Sequence, residues 1–332
     1  MLLCPSVILL KNIKKTFKVF TRKKGLGSAM LSMFKREYRE IKALDDISFA
    51  MEKGEIAGFI GPNGAGKSTA IKIMSGILLP DSGECTVMGM CPWEKRKKYV
   101  ANIGVVFGQR TQLWWDVPVE DSYDLLKHIY RLNEKRFREN LEELSYLLDM
   151  KDLLSVPLRQ LSLGQRMRCE LAASLLHDPL VLFLDEPTIG LDAISKLAVR
   201  KIIAELNKTR KITVILTSHD MDDIEALTNR ILLIGNGKLL YNGELAAIRS
   251  RYDRVRKLEI NYEANPELPV PHGTRLISQK DQHAVYEVDT GIIGVSSAIA
   301  QIGEKIEIRD MSAGSRPIEE IISSMYEEGN LL

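Results

Sequence analysis

A nine-residue glycine-rich segment, Gly61-Pro62-Asn63-Gly64-Ala65-Gly66-Lys67-Ser68-Thr69, is the feature that most constrains the fold. It fits the pattern G-x-x-x-x-G-K-[ST] of a phosphate-binding loop. The run Glu55 to Ile60 before it predicts a strand, and Ala70 to Met74 after it predicts a helix. A strand, a glycine loop and a helix in this order form a cradle in which backbone N–H groups and the positive helix end face an anion.

The side chains of this loop predict which anion it holds. Lys67 supplies a point charge for the β- and γ-phosphates of a nucleotide, and Ser68 supplies a hydroxyl for Mg²⁺. A plain glycine turn is the alternative, but the flanking strand and helix are both in place. We therefore expect a nucleotide phosphate together with Mg²⁺ in this loop. The remaining loop residues expected to contact the nucleotide are Gly61, Asn63, Gly64, Ala65, Gly66 and Thr69.

A second, acidic motif lies downstream. Asp185 and Glu186 follow the continuous apolar run Val181 to Leu184, which is typical of a buried parallel strand. An aspartate delivered there can hold Mg²⁺ through water, and the next glutamate can polarise an attacking water. A polar loop after a core strand is the ordinary alternative. The phosphate loop upstream and Pro187-Thr188 directly after the pair favour the catalytic interpretation.

Composition excludes several classes of protein. The chain has 332 residues, enough for two domains, with 45% hydrophobic and 27% charged residues, as in soluble globular proteins. A net charge of +2 gives no indication of nucleic-acid binding. No run of 18 apolar residues is present, and the N-terminal residues do not resemble a signal peptide. The four cysteines lack C-x-x-C spacing, so reduced thiols are favoured over a metal site.

The stretch from Lys11 to Lys42 is strongly basic. It holds eleven lysines and arginines against two glutamates. Several apolar residues fall near helical spacing, so we expect an amphipathic helix within a basic insert at about 21–42; they are Leu26, Met30, Met33, Phe34 and Ile41. The insert is either a solvated charged face or a contact with anionic lipid headgroups or the cytoplasmic end of a membrane partner.

The remaining pattern is α/β. Short apolar runs predict strands at 7–10, 43–49, 103–107, 213–216 and 231–234, and periodic leucines predict helices within 125–150. Strands that alternate with helices indicate a mainly parallel sheet. After a proline-rich break at 265–271, strands are expected at 258–262 and 284–288 and helices at 296–302 and 318–326. The predicted domains are therefore 1–245, with a helical subdomain at about 110–178, and a small α+β accessory domain at 246–332.

Further segments carry a family resemblance. Leu161-Ser162-Leu163-Gly164-Gln165 resembles the LSGGQ signature of the ATP-binding cassette (ABC) ATPases, with Leu163 in place of the first glycine. Gln109 resembles the Q-loop glutamine, preceded by an extra Gly108, and Gly190-Leu191-Asp192 resembles the D-loop. His219 resembles the switch histidine. The resemblance covers residues 7 to about 245. It implies a P-loop NTPase fold, with a RecA-like core and a helical subdomain, and ATP hydrolysis.

The resemblance also implies roles for these residues. Ser162, Gly164 and Gln165, together with Asp192, would bind nucleotide held by an opposite subunit, so a second copy of the chain is an expected partner. Gln109 would link the metal site to a transport partner, and His219 would contact the γ-phosphate. In the family an aromatic residue upstream of the phosphate loop stacks on adenine. Phe17 is the first candidate here, with Phe20 and Tyr38 as alternatives.

Within the family the chain looks most like ATPases of exporters with separately encoded permease subunits in the membrane. The segment from Gly108 to Asp116, with Trp114-Trp115, resembles bacterial drug exporters. The tryptophans are either ordinary core or an apolar groove for a coupling helix of the permease. The expected location is peripheral, on the cytoplasmic face of the cell membrane. Alternatives are an importer ATPase, a repair or ribosome-associated ABC ATPase, and a module that binds ATP without turnover.

Overall fold

A computed structural model describes residues 6–20, 38–108, 110–252, 254–263 and 267–328. The chain divides into two compact units, Met1–Gly243 and Glu244–Leu332, whereas the sequence predicts a boundary between residues 245 and 246. Each unit has its own hydrophobic core among the described residues. The two units are therefore described one after the other.

Strands and helices alternate along the first unit. Its first half contains β1 (Ile8–Phe20), β2 (Tyr38–Met51), β3 (Ile56–Ile60), α1 (Lys67–Met74), β4 (Ser82–Val87), α2 (Arg96–Val100), β5 (Ile103–Phe107), α3 (Val119–Tyr130) and α4 (Glu134–Leu147). Two 3₁₀ turns, Lys151–Leu153 and Leu158–Gln160, lead to the second half. There follow α5 (Leu163–Leu175), β6 (Val181–Asp185), α6 (Ala193–Arg210), β7 (Thr213–Thr217), α7 (Met221–Leu227), β8 (Arg230–Gly235) and β9 (Lys238–Glu244), whose last residue lies across the unit boundary.

A six-stranded sheet in the order β5-β6-β7-β3-β8-β9 forms the centre of the first unit. Its β5–β6, β6–β7, β7–β3 and β3–β8 pairs are parallel. One row of paired residues crosses four strands and consists of Phe107, Asp185, Thr217 and Phe59. Because parallel strands end at the same sheet edge, the loops that follow this row lie side by side. The phosphate loop, Glu186, His219 and the segment after Phe107 all follow it within a few residues.

A smaller antiparallel sheet in the order β2-β1-β4 completes the core. Ile8 and Ile47 from this sheet share one buried cluster with Phe59 of the parallel sheet and with Ile71 and Met74 of α1. The phosphate-loop helix α1 is therefore packed in the same apolar core as both sheets. Burying such side chains contributes about 1.5–3 kcal/mol each, which fixes the helix under the loop.

The structure corrects two expectations about the basic N-terminal stretch. The first strand does not end at Leu10 but continues to Phe20, paired with β2 along its whole length. Ile41, counted among the apolar residues near helical spacing, instead lies in β2, where it pairs with Phe17. Cross-strand pairing decides the conformation here, because apolar residues near helical spacing can equally lie along a strand. The expected helix at 21–37 lies outside the described residues.

Helices α3, α4 and α5 lie within residues 110–178, where the sequence predicts a helical subdomain. The stretch 125–150 forms parts of α3 and α4, separated at Arg131, which has a left-handed φ of 54°, and at Asn133, which caps α4. The hydroxyl of the buried Tyr123 donates to the backbone oxygen of Cys169 at 2.9 Å and joins α3 to α5. Trp114 and Trp115, which precede α3, are 45% and 46% exposed, so of the two alternatives the one that places them in the core is excluded.

The second unit is a small α+β fold. It contains α8 (Leu245–Tyr252), β10 (Val255–Tyr262), β11 (Thr274–Lys280), β12 (His283–Asp289), α9 (Val295–Gly303), β13 (Ile308–Ser315) and α10 (Ile318–Glu328). Its strands form an antiparallel sheet in the order β11-β12-β10-β13. Alternate residues of β10, namely Leu258, Ile260 and Tyr262, face the core together with Ala298 and Ile302 of α9.

Within the part of the chain that the structure describes, no helix combines the length and the apolar character needed to traverse a bilayer.

Candidate functional site

The phosphate loop lies between the end of β3 and the start of α1. Gly66 begins the helix with a left-handed φ of 111°, and a side-chain carbon built on it would lie 2.4 Å from the backbone oxygen of Ala43. Only glycine meets both conditions. The buried Lys67 donates through Nζ to the backbone oxygens of Gly61 at 2.6 Å and Pro62 at 3.1 Å. These bonds hold its ammonium group inside the loop.

Burial lowers the pKa of Lys67 from its ordinary value, and the negative charges of Glu186 and Asp185 partly oppose that shift. Desolvation disfavours the charged form of a lysine, whereas nearby carboxylates favour it. A bound phosphate would act in the same direction as the carboxylates. The loop thus presents a partly desolvated cation whose charge an anionic ligand would stabilise.

Three oxygen-bearing side chains meet at the end of β6. Asp185 Oδ1 accepts from Ser68 Oγ at 3.1 Å and from Thr217 Oγ1 at 2.7 Å. Ser68 is at the start of α1 and Thr217 ends β7, so three elements place these groups together. Carboxylate and hydroxyl oxygens are the ligand types that Mg²⁺ takes, usually beside nucleotide phosphates. The donor set of Ser68 and Asp185 therefore fits the expected Mg²⁺.

Glu186 is the first residue after β6 and has a left-handed φ of 56°. Its N–H lies 3.0 Å from Thr217 Oγ1 and 3.1 Å from the Thr217 backbone oxygen. Its Oε2 lies 3.1 Å from Nδ1 of His219, which follows β7. This contact brings the two predicted catalytic side chains, 33 residues apart in sequence, within hydrogen-bonding distance.

Several of these groups line one cleft of about 720 Å³, whereas Lys67 and Thr217 are not among its lining residues. Its predicted residues are Asn63, Ser68, Asp185, Glu186 and His219. The cleft is also lined by residues that sequence reasoning did not assign to the site, namely Lys72, Ile77, Phe107, Gly108, Arg110 and Ile189. Two of these additional residues are cations, Lys72 from α1 and Arg110 from the turn after β5. Together with the carboxylates of Asp185 and Glu186, these cations give the cleft the mixed charge of a site for a metal–phosphate ligand.

The predicted Gln109 lies outside the described residues, but its neighbours are well placed. The N–H of Gly108 donates to the backbone oxygen of Asp185 at 2.8 Å. The N–H of Arg110 donates to the backbone oxygen of Phe107 at 3.0 Å. A side-chain carbon on Gly108 would lie 2.0 Å from the Glu186 backbone oxygen, so the extra residue before Gln109 must be glycine.

The signature residues lie at the start of α5 and are not among those that line the described cleft. Ser162 and Gln165 form a reciprocal capping box, with N···O distances of 2.9 and 3.2 Å. A capped helix start of this kind suits an anion. Gly164 lies against Ser195 of α6, and Leu163, 41% exposed, lies next to Gly190.

Asp192 of the D-loop caps α6. Its two carboxylate oxygens accept from the Ser195 N–H at 2.9 Å and the Ser195 hydroxyl at 2.8 Å. These hydrogen bonds lower the pKa of the Asp192 carboxyl. The signature and the D-loop thus form a second cluster of predicted residues, held together through the first turns of α5 and α6.

The candidates for adenine stacking share the end of the β1–β2 hairpin. Phe17 is 38% exposed, pairs across the strands with Ile41, and has Lys15 Nζ 5.8 Å from its ring centroid. Tyr38 is 53% exposed and pairs with Phe20, whose side chain is outside the described residues. Phe17 thus offers an exposed aromatic face, and its assignment to adenine stays a prediction.

Sequence reasoning missed a buried network next to Glu186 and His219, the two predicted catalytic residues. Asp223 of α7 is fully buried and accepts from the hydroxyls of Thr188 and Ser218, the latter at 3.1 Å. Arg200 Nε of α6 lies 2.5 Å from its other oxygen. Thr188 is two residues after Glu186, and Ser218 directly precedes His219. A polar residue four positions after His219 was a signal, but two of its partners, Thr188 and Arg200, are distant in sequence.

Comparison with known proteins identifies the class that this fold and site define. Residues 44–189 match the family described as ABC transporter. The ABC transporter ATP-binding protein NatA of Bacillus subtilis is 32% identical over 229 residues, which are 69% of this chain and 92% of that protein. The chain belongs to the ATP-binding proteins of ABC transporters, and it is the ATPase subunit of such a transporter.

Other relatives match part of their own length. The probable multidrug ABC transporter ATP-binding protein YbhF of Escherichia coli is 36% identical over 210 residues, 63% of this chain and 36% of that protein. Among solved structures, the dimeric structure of MJ0796, a bacterial ABC transporter cassette, is 25% identical with a TM-score of 0.59, covering 72% of this chain and 98% of that one. The nucleotide-binding fold expected from the sequence is confirmed.

Proposed function

We propose that this chain binds Mg-ATP in the cleft beside Lys67 and hydrolyses it to power export through separately encoded permease subunits. One observation carries the catalytic part. Asp185 accepts a hydrogen bond from Ser68 of the phosphate loop at 3.1 Å, and Glu186 and His219, from two different strand ends, lie 3.1 Å apart and line the same cleft as Ser68. A site that only held ATP would not need a carboxylate and an imidazole aligned beside the phosphate position.

Each side chain has a distinct task in this proposal. Lys67 and the loop amides neutralise phosphate charge, and Ser68 and Asp185 hold Mg²⁺, as Gln109 would from its position after Gly108. Bound Mg²⁺ would supply charge compensation for the phosphate oxygens. Glu186 accepts a hydrogen bond from the attacking water, and His219 donates to the γ-phosphate while its ring is oriented by Glu186. Phe17 would stack on the adenine ring.

Two copies of the chain would act together. Ser162, Gly164, Gln165 and Asp192 form a capped, anion-favouring cluster that does not line the cleft of the same copy. We infer that this cluster completes the nucleotide site of a second copy. The dimeric structure of the MJ0796 cassette supports such an arrangement. All predicted motifs are in one chain, so a homodimer with two competent sites is the simplest assembly.

Glu186→Gln tests the catalytic assignment. The amide keeps the size of the side chain but cannot act as a carboxylate base, so we expect ATP binding without phosphate release. Trapped ATP should then hold two copies together in size-exclusion chromatography with Mg-ATP. The exposed Glu94→Gln is a matched control and should hydrolyse ATP normally. A Glu186→Gln protein that stays monomeric and releases phosphate at the wild-type rate would remove Glu186 from this role.

Export is the finer part of the proposal. Relatives include the linearmycin resistance protein LnrL of Bacillus subtilis and the daunorubicin resistance protein DrrA3 of Streptomyces coeruleorubidus, both over 30% identical. The exposed Trp114 and Trp115 offer an apolar surface for a cytoplasmic helix of a permease. The chain would then lie peripherally on the cytoplasmic face of the membrane, where its basic N-terminal stretch would meet anionic lipid.

Import is the second candidate, because the methionine import protein MetN of Latilactobacillus sakei is 30% identical over 220 residues. Inside-out vesicles that contain this chain and the permease encoded beside its gene would decide between them. ATP-dependent uptake of the cargo into such vesicles means export, and uptake only into right-side-out vesicles means import. Neither a DNA-repair nor a ribosomal role is favoured by any relative named above.

A further inference from the structure

Helix α5, which starts at the signature loop (Leu161–Gln165), also holds the segment that follows Gln109. We call Thr111–Asp116 the post-glutamine segment. Glu170 of α5 is only 5% exposed, and its carboxylate accepts from the Thr111 hydroxyl and, at 3.2 Å, from the Gln112 N–H. Burial raises the pKa of the Glu170 carboxyl, and these hydrogen bonds oppose the rise. A buried carboxylate requires such hydrogen-bond donors, so Glu170 fixes the position of Thr111 and Gln112 relative to α5.

Arg166 holds the other end of the same segment. It precedes Glu170 by four residues and therefore lies on the same face of α5. Its guanidinium carbon lies 4.4 Å from the ring centroid of Trp115. Its Nε donates to the backbone oxygen of Leu161 at 2.9 Å. One side chain thus contacts both the half-exposed tryptophan and the first residue of the signature loop.

Backbone pairing reinforces this connection. The N–H of Arg159 donates to the Trp115 oxygen at 3.0 Å, and the N–H of Leu158 donates to the Val117 oxygen at 3.3 Å. The N–H of Val119 in turn donates to the Val156 oxygen at 3.2 Å. The chain around Trp115 therefore runs alongside the residues that lead directly into the signature loop. If the segment around Trp115 is displaced, the residues that lead into the signature loop should therefore move with it.

We propose that Arg166 and Glu170 are positioning residues for ATP hydrolysis. They fix the signature loop to the post-glutamine segment, so that a partner bound at Trp114 and Trp115 sets the position of Ser162. This inference rests on the proposed function, because it requires the signature loop to contact nucleotide. Lysine cannot replace Arg166, since a point charge cannot stack on an indole and hold a backbone oxygen at once.

Arg166→Lys and Glu170→Gln test this arrangement by kinetics and by fluorescence. Loss of one charge-assisted hydrogen bond should lower kcat for ATP by roughly tenfold, while the KM for ATP stays unchanged because the phosphate loop is intact. The chain has three tryptophans, so replacing Trp93 and Trp114 with Phe leaves Trp115 as the only indole. In that parent, Mg-ATP should change the Trp115 emission, and Arg166→Lys and Glu170→Gln should abolish the change.

Arg168→Lys is the matched control. Arg168 lies on the same helix and also donates to backbone oxygens, those of Leu148 and Asp149, but it contacts neither the post-glutamine segment nor the signature loop through them. It should keep both kcat and the emission change. Thermal melts identify a variant that does not fold, in which case the other variant carries the test.

The possible failures are distinguishable. A parent that neither binds nor hydrolyses ATP contradicts the proposed function itself. An active parent whose Trp115 emission ignores Mg-ATP, or folded Arg166→Lys and Glu170→Gln proteins with wild-type kcat and a normal emission change, overturns only the positioning role.

Discussion

At the scale of single residues, the predictable part of the site is the part that is contiguous in sequence. Lys67, Ser68, Asp185 and Glu186 each sit in a short motif whose chemistry follows from residue type and from the adjoining strand or helix. Asp223 could not be predicted in the same way, because its role comes from three partners brought to it by other elements. Burial of a charge is a property of the fold, and no local pattern reports it.

Lys67→Ala should weaken ATP binding by roughly ten- to a hundredfold, which is the loss expected for a charge-assisted phosphate contact. Because the pKa of Lys67 is lowered, its charge is lost at a lower pH than that of an ordinary lysine. Wild-type affinity should therefore fall as pH rises through that pKa, and the variant should show no such step. Titration with a fluorescent ATP analogue across the alkaline range measures both effects. Lys238→Ala, at an exposed position, should match the wild type.

At the scale of secondary-structure elements, strands with continuous apolar runs were predictable and exposed strands were not. The strands β5, β6 and β7 were expected within one residue of their ends because their side chains are largely buried on both faces. The mostly exposed β11 and β13 carry no comparable pattern and were missed. Ile41 was wrongly counted toward an amphipathic helix, because its pairing with β1 is a non-local interaction.

Asp223→Ala should test how α6 and α7 support the catalytic loops. Removing Asp223 leaves the largely buried Arg200 with only its weaker 3.6 Å ion pair to Asp220, so we expect the free energy of unfolding to fall by up to about 3–5 kcal/mol. The three tryptophans all lie in the first unit, so their fluorescence during denaturation reports its stability. The exposed neighbour Asp222→Ala should cost much less. Equal losses in both variants would mean that the buried network contributes little.

At the scale of the whole molecule, sequence periodicity and the proline-rich break were enough to predict an α/β unit followed by a smaller α+β unit. The function of the second unit could not be predicted, because its sheet and helices present no chemical motif. The basic stretch was recognised by its charge alone. Charge excess predicts which surface meets an anionic partner, but it does not predict backbone conformation.

Replacing Lys35, Arg36 and Arg39 with Glu should weaken binding to anionic vesicles. Arg39 is in β2, whereas the other two lie outside the described residues. Each cation near such a surface contributes about 1 kcal/mol, less at high salt. Sedimentation with phosphatidylserine vesicles measures the effect, with neutral vesicles as reference. The control variant replaces the exposed Lys95, Lys97 and Lys98 with Glu, which makes the same change in charge at a different part of the surface. If both triple variants sediment equally, the basic stretch is an ordinary solvated surface and not a lipid contact.

Because of the left-handed backbone at Glu186, thermal stability and ATP hydrolysis favour different residues at this position. A non-glycine residue in this conformation costs about 1–2 kcal/mol, so Glu186→Gly should raise the melting temperature while abolishing hydrolysis. Glu186→Ala loses the same carboxylate but keeps a β-carbon, and it should gain no comparable stability. A library screened only for heat resistance would then enrich glycine at this position and discard activity. Differential scanning calorimetry of the two variants would reveal whether the trade-off exists.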